Sequence, residues 1–257
     1  MTLFPNLPSL LGHRTRPRPV IAIGSSQTEL FDYIFGDNPE YHPLWAGGWS
    51  ARGLRREEKG GYLDKITRDL PKRSTVFLVF GSVDANFVFR HQRRARPWIG
   101  EEDIIGPAVE GLRQARRFLR KKGFRHVHAV FASPVPRLPP AYWADRSAAP
   151  QLPDEQRAHL YYRIAKRAAE HMPVIDLLDD LSDARSGDYQ LRPEYARTEP
   201  DHHPDYIATQ DIVWDRIKTL PGILPRRDPP HTALYPRTPS AIRNLKEAGQ
   251  VRPRTCR

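Results

Sequence analysis

The stretch Val20-Ile21-Ala22-Ile23-Gly24-Ser25-Ser26-Gln27 decides how the chain folds. Its four leading apolar residues suit a short strand buried on both faces. Gly24 permits a sharp turn, and Ser25 or Ser26 then stands at the carboxyl end of the strand, where a helix begins. Open α/β sheets bind ligands at that edge. A serine there lies near helical N–H groups able to hold a developing oxyanion. Serine is equally a common helix N-cap, so the rest of the chain has to decide between the two readings.

Outward from this strand, apolar runs alternate with helical patterns, which predicts a parallel sheet with helices on both faces. A short helix follows through Leu30, Phe31 and Ile34, and a second strand is expected near Pro43–Ala46. The third strand, Ser74-Thr75-Val76-Phe77-Leu78-Val79-Phe80, is the clearest apolar run. A long helix is predicted from about Glu101 to Lys122, with Ile105, Ala108, Leu112, Ala115 and Leu119 as its apolar stripe. Its acidic first turn and basic last turn suit the helix dipole. A fourth strand at Val127–Ala132, a helix from Pro153 to His171 and a fifth strand at Pro173–Leu178 continue the alternation. A last helix carries Ile207, Trp214 and Ile217, with Pro204 suited to its first turn. The expected fold class is α/β: a three-layer αβα domain over residues 20–220 with a central parallel sheet of about five strands. Residues 1–19 form an N-terminal extension and residues 221–257 a basic, proline-rich tail.

Composition narrows the function classes. The 257 residues suffice for one well-filled core. No apolar run approaches the ~20 residues that cross a bilayer, and the N-terminus lacks the pattern of an export signal, so a cytoplasmic location is expected. The lone cysteine, Cys256, rules out an internal disulfide and argues against thiolate metal sites. The net charge is +11, and the eight Lys/Arg after Pro221, set against Asp228 and Glu247, account for more than half of it. With no zinc-finger spacing and no aromatic-rich ribonucleoprotein strand, nucleic acid is not the expected partner.

Three further segments fall at strand ends. Gly47-Gly48-Trp49-Ser50-Ala51-Arg52-Gly53-Leu54 follows the second strand, Gly81-Ser82-Val83-Asp84-Ala85-Asn86 the third, and Asp201-His202-His203-Pro204 precedes the last helix. In order and spacing over about Val20–Leu220, the chain resembles the SGNH (GDSL-type) hydrolase superfamily. Gly24-Ser25-Ser26 occupies the Gly-Asp-Ser position, so the resemblance implies Ser26 as nucleophile and Ser26 and Gly53 as oxyanion N–H donors. His203, followed by Pro204, matches the catalytic base. Three departures stand out. Ser25 replaces the usual aspartate, Val83 replaces an asparagine that would donate to the oxyanion, and Pro200 stands three residues before His203, where the family has aspartate. Asn86 is the nearest amide to take the place of the missing donor, and Asp201 the carboxylate to orient His203. Trp49, Arg52 and Asp84 are candidate substrate-binding residues, each with a plainer structural alternative.

What the resemblance implies is a serine-dependent ester hydrolase or acyltransferase. It would work through an acyl-enzyme on a small acylated metabolite or sugar, with no cofactor and no metal. Three other readings remain open from the residues. One is a non-catalytic binding protein on the same scaffold, since fold does not guarantee activity. Another is a metal-dependent phosphoesterase using Asp201, His202, His203 and Asp205. The last is a nucleic-acid binder acting through the basic tail.

Overall fold

The structure, a computed structural model, describes residues 16–55, 61–144, 151–185 and 187–233. Five strands, β1 (Val20–Gly24), β2 (Tyr41–Trp45), β3 (Thr75–Val79), β4 (His126–Phe131) and β5 (Val174–Asp176), form one sheet in the order β2-β1-β3-β4-β5. Every pairing is parallel. The fold is the expected three-layer α/β arrangement. β1 lies between β2 and β3: the chain steps one way along the sheet from β1 to β2, then crosses back over β1 to β3 and continues the other way. The carboxyl end of β1 is therefore the topological switch point, the place where such sheets leave a crevice for ligands.

Burial follows the two-residue period of the strands. Ile21, Ile23, Val76 and Leu78 face one core and Val20, Ala22, Phe77 and Val79 the other. The first core is covered by α4 (Glu102–Lys121) and α6 (Asp154–Ala169). The predicted stripe Ile105, Ala108, Leu112, Ala115 and Leu119 is buried there. The second is covered by α1 (Leu30–Phe35) and α8 (Tyr206–Ile217). Shorter helices are α2 (Tyr62–Thr67), α3 (Phe89–Ala95), α5 (Pro140–Ala144) and α7 (Leu178–Leu181). No helix among the described residues is long and apolar enough to cross a membrane.

Some boundaries differ from expectation for identifiable reasons. Pro204 lies before α8, not in its first turn. The cap is Asp205, whose carboxylate accepts from the N–H groups of Ile207 (2.8 Å) and Ala208 (3.3 Å). β5 stops at Asp176, whose side chain accepts from Leu178 N–H (3.0 Å) at the start of α7. Residues 221–233 pack on the domain: Leu224 is buried, Arg227 N–H donates to Ile34 O (2.8 Å), and Gln210 Nε2 donates to His231 O (2.7 Å). Order thus continues past the boundary drawn at residue 221. Residues 1–15 of the N-terminal extension and 234–257 of the basic tail lie outside the described residues.

Candidate functional site

β1 ends at Gly24, where only a glycine fits. A Cβ there would lie 2.2 Å from Val79 O and 2.4 Å from Thr28 Oγ1. The chain then enters a 3-10 turn at Ser26–Glu29. Ser25 is buried, and its Oγ has no hydrogen-bond partner among the described residues. Ser26 instead faces the sheet edge, half-buried, with Oγ 2.7 Å from His203 Nε2 across 177 sequence positions.

His203 comes from the turn before α8. Its Nδ1 lies 2.7 Å from Asp201 Oδ1, which also accepts His203 N–H at 3.1 Å. With Nδ1–H donated to this carboxylate, Nε2 is left as an acceptor for the Ser26 hydroxyl. The other oxygen, Asp201 Oδ2, accepts from Arg197 Nη1 at 3.2 Å. Burial alone would raise the Asp201 carboxyl. The hydrogen bond from His203 and the charges of His203, His202 and Arg197 outweigh it and hold the group well below the usual carboxylate range. Arg197 is itself fixed by a bond from Nε to Pro204 O (3.0 Å) and by lying over the Tyr206 ring (5.1 Å). Ser26, His203 and Asp201 thus come together. Arg197, which holds the far side of Asp201, went unread in the sequence: an arginine in a polar loop carries no local signal.

The loop after β2 corrects three expectations. Gly53 N–H is already bonded to Ser50, to its carbonyl at 3.1 Å and its Oγ at 3.2 Å, and so is not free for an oxyanion. Ser50 caps this turn, and a local cap competes successfully for the donor. Gly48 in the same loop is exposed, has a left-handed backbone (φ 77°) and has open space where a side chain would stand. Trp49 is 1% exposed and packs edge-on against Phe80, with ring centroids 5.2 Å apart. It belongs to the core and not to a substrate wall. Asp84 is wholly buried, and both its oxygens accept backbone N–H groups, from Ala51 (2.7 Å) and Arg52 (3.1 Å). Burial pushes its carboxyl up to about 6 against the pull of those two donors. Asp84 therefore anchors the loop, and Arg52 contributes its backbone N–H to that anchor. Val83 is packed in the core beside it.

Asn86 sits in a π-helical turn, Asp84–Val88, that leads into α3. Its Oδ1 accepts from Arg157 Nη1, which leaves Nδ2 as the free end of the amide. Arg157 is fully buried in α6, ion-paired with Asp154, bonded to Leu152 O and seated over the Trp143 ring at 4.6 Å. Phe87 and Trp143 touch the ring of His202, with centroids 5.5 and 6.4 Å away. His202 Nδ1 is 2.6 Å from the Tyr142 hydroxyl, and its ring lies 4.0 Å from that of His203. It is a packed neighbour of His203 and not an exposed one. Asp205 is spent on the α8 cap, apart from the other three residues of the metal reading.

No family model and no curated protein sequence matches the chain. Solved structures do. A protein described as a platelet activating factor from Streptococcus pneumonia superposes with a TM-score of 0.50 at 15% identity, over 80% of this chain and 85% of that one. A carbohydrate acetylesterase from Sinorhizobium meliloti matches with a TM-score of 0.46 at 13% identity, over 79% and 99%. A GDSL-like lipase from Parabacteroides merdae matches at 0.44 and 10%, over 80% and 98%. At such identities the likeness is one of fold alone, the three-layer α/β arrangement around a parallel sheet.

Proposed function

We propose that the protein is a serine-dependent esterase or acyltransferase that acts on a small acylated metabolite or sugar. The observation that carries this reading is the contact of 2.7 Å between Ser26 Oγ and His203 Nε2, continued by 2.7 Å from His203 Nδ1 to Asp201 Oδ1. A serine hydroxyl is a weak nucleophile until a base takes its proton. In the proposed step Oγ bonds to the acyl carbon as its proton passes to Nε2. The leaving alcohol then departs with that proton and leaves an acyl-enzyme. Water or a second alcohol, deprotonated in turn by His203, releases the acyl group. Asp201 keeps the imidazole in the required tautomer and stabilises the imidazolium. The N–H groups of Ser26 and Gly48 and the Nδ2 of Asn86 are the donors this reading assigns to the oxyanion, in place of Gly53.

A fluorophosphonate probe tests the nucleophile. Labelling of the wild-type protein that is lost in Ser26→Ala is the expected result. Labelling that survives the substitution, or none in the wild type, overturns the reading. Turnover abolished by EDTA would instead favour the metal alternative, for which Asp201, His202 and His203 carry ligand atoms within 4.8 Å of one another.

A further inference from the structure

We infer that Arg90, a buried cation without a counter-charge among the described residues, two layers of rings from the serine–histidine pair, binds an acidic group, carboxylate or phosphate, on the ester that the site processes. The inference rests on the serine reading for the chemistry but on separate residues for the recognition.

Arg90 is the second residue of α3 and is only 5% exposed. Charged side chains so deeply buried are normally paired, because an isolated charge loses its hydration without compensation. Its neighbour Arg157 follows that rule, with Asp154, Asn86 and Leu152 O as partners. Arg90 does not. Among the described residues no carboxylate forms an ion pair with it, and its Nη1 is enclosed with no hydrogen-bond partner. What holds it is aromatic: the guanidinium carbon lies 5.5 Å from the ring centroids of both Phe87 and Trp143. Cation–π contact positions a guanidinium but offers no acceptor for its N–H groups. The same two rings contact His202, whose ring neighbours that of His203. The unpaired charge is therefore separated from the proposed base by two layers of rings. Arg157 lies close enough for the two cations to repel, but its own charge is balanced by Asp154. A planar fork of donors walled by aromatics suits a carboxylate or phosphate bound at its edge. Because the guanidinium charge is delocalised, an anion at one edge neutralises the whole group.

The kinetic test compares p-nitrophenyl acetate with p-nitrophenyl hydrogen succinate, which carries a free carboxylate. Arg90→Met is expected to lower the succinate-to-acetate ratio of kcat/KM ten- to hundredfold, and Arg90→Lys to lower it less. An unchanged ratio in Arg90→Met overturns the inference. Binding separates this outcome from failure of the serine reading. In the Ser26→Ala protein, calorimetric titration with succinate and with inorganic phosphate is expected to detect one or both, and Arg90→Met to abolish the signal. Whichever anion binds identifies the group. If neither binds, or if binding survives Arg90→Met, the inference fails whatever becomes of Ser26. A purely structural role would lower the melting temperature of Arg90→Met and slow both esters alike, which also overturns it.

Discussion

Arg197 and Asp201 meet on the side of the carboxylate that His203 leaves unused: Nη1 is 3.2 Å from Oδ2, and the two side chains are 10% and 2% exposed. The carboxylate is thereby clamped from both sides, by a guanidinium and an imidazole. Breaking a buried pair by removing one partner costs about 3–5 kcal/mol, since the other charge is left uncompensated. Arg197→Met is expected to lose about 3 kcal/mol in urea unfolding. Ester turnover should fall mainly in kcat, because Arg197 positions Asp201 and touches no substrate.

Asp201→Asn keeps the shape of the turn but can present an amide N–H where Nδ1–H needs an acceptor. The imidazole is then drawn into the wrong tautomer. The expected result is a fall in kcat of about 10⁴-fold with KM little changed. A loss below tenfold would show that another group orients His203.

Gly24→Ala should be strongly destabilising, because the new Cβ would lie 2.2 Å from the Val79 carbonyl oxygen. Backbone cannot move aside as a flexible side chain does, so a loss of roughly 3 kcal/mol or more is expected, read by thermal or urea unfolding. Ser25→Ala, one residue on, should be neutral or stabilising by up to about 1 kcal/mol, because its buried Oγ has no partner to lose among the described residues.

Asp84 should leave a signature in the pH dependence of stability. Its carboxyl is pushed up to about 6 in the folded protein, above the value of about 3.9 in an unfolded chain. Between those values the folded state binds more protons than the unfolded state, so this group's contribution to stability falls as pH rises through the interval and stays low above it. Comparing urea unfolding from pH 4 to 7 in wild type and Asp84→Asn should show a steeper decline in the wild type. The variant should also be less stable across the range, because an amide cannot accept both the Ala51 and the Arg52 N–H groups.

Strands and long helices were legible because their apolar residues recur with fixed periods. Ile21 and Ile23 divide from Val20 and Ala22 across the sheet as a two-residue alternation requires, and the α4 stripe is buried as its spacing implied. Helix α3 was not legible, since beyond Phe89 it runs Arg90-His91-Gln92-Arg93-Arg94 and shows no apolar face. The positions of Ser26, His203 and Asp201 followed from motif order. The roles of the loop residues did not. Whether Gly53 N–H is free depends on the rotamer of Ser50, and whether Trp49 lines a pocket or fills a core depends on Phe80, which arrives from another strand. Nothing in the sequence singles out Arg90 or Arg157, because a buried guanidinium leaves no mark in the local sequence.

With a single residue between them, Asp201 and His203 make acid and imidazole parts of one short turn, tied by a backbone bond as well as a side-chain bond. Such a pair moves as a single body. Its internal alignment survives any shift of the segment that carries it, while its distance to the hydroxyl on the opening strand does not. Loosening of α8 from α1 would thus uncouple the pair from Ser26 with both halves intact, so that the grip of α8 on the domain sets the distance between imidazole and hydroxyl.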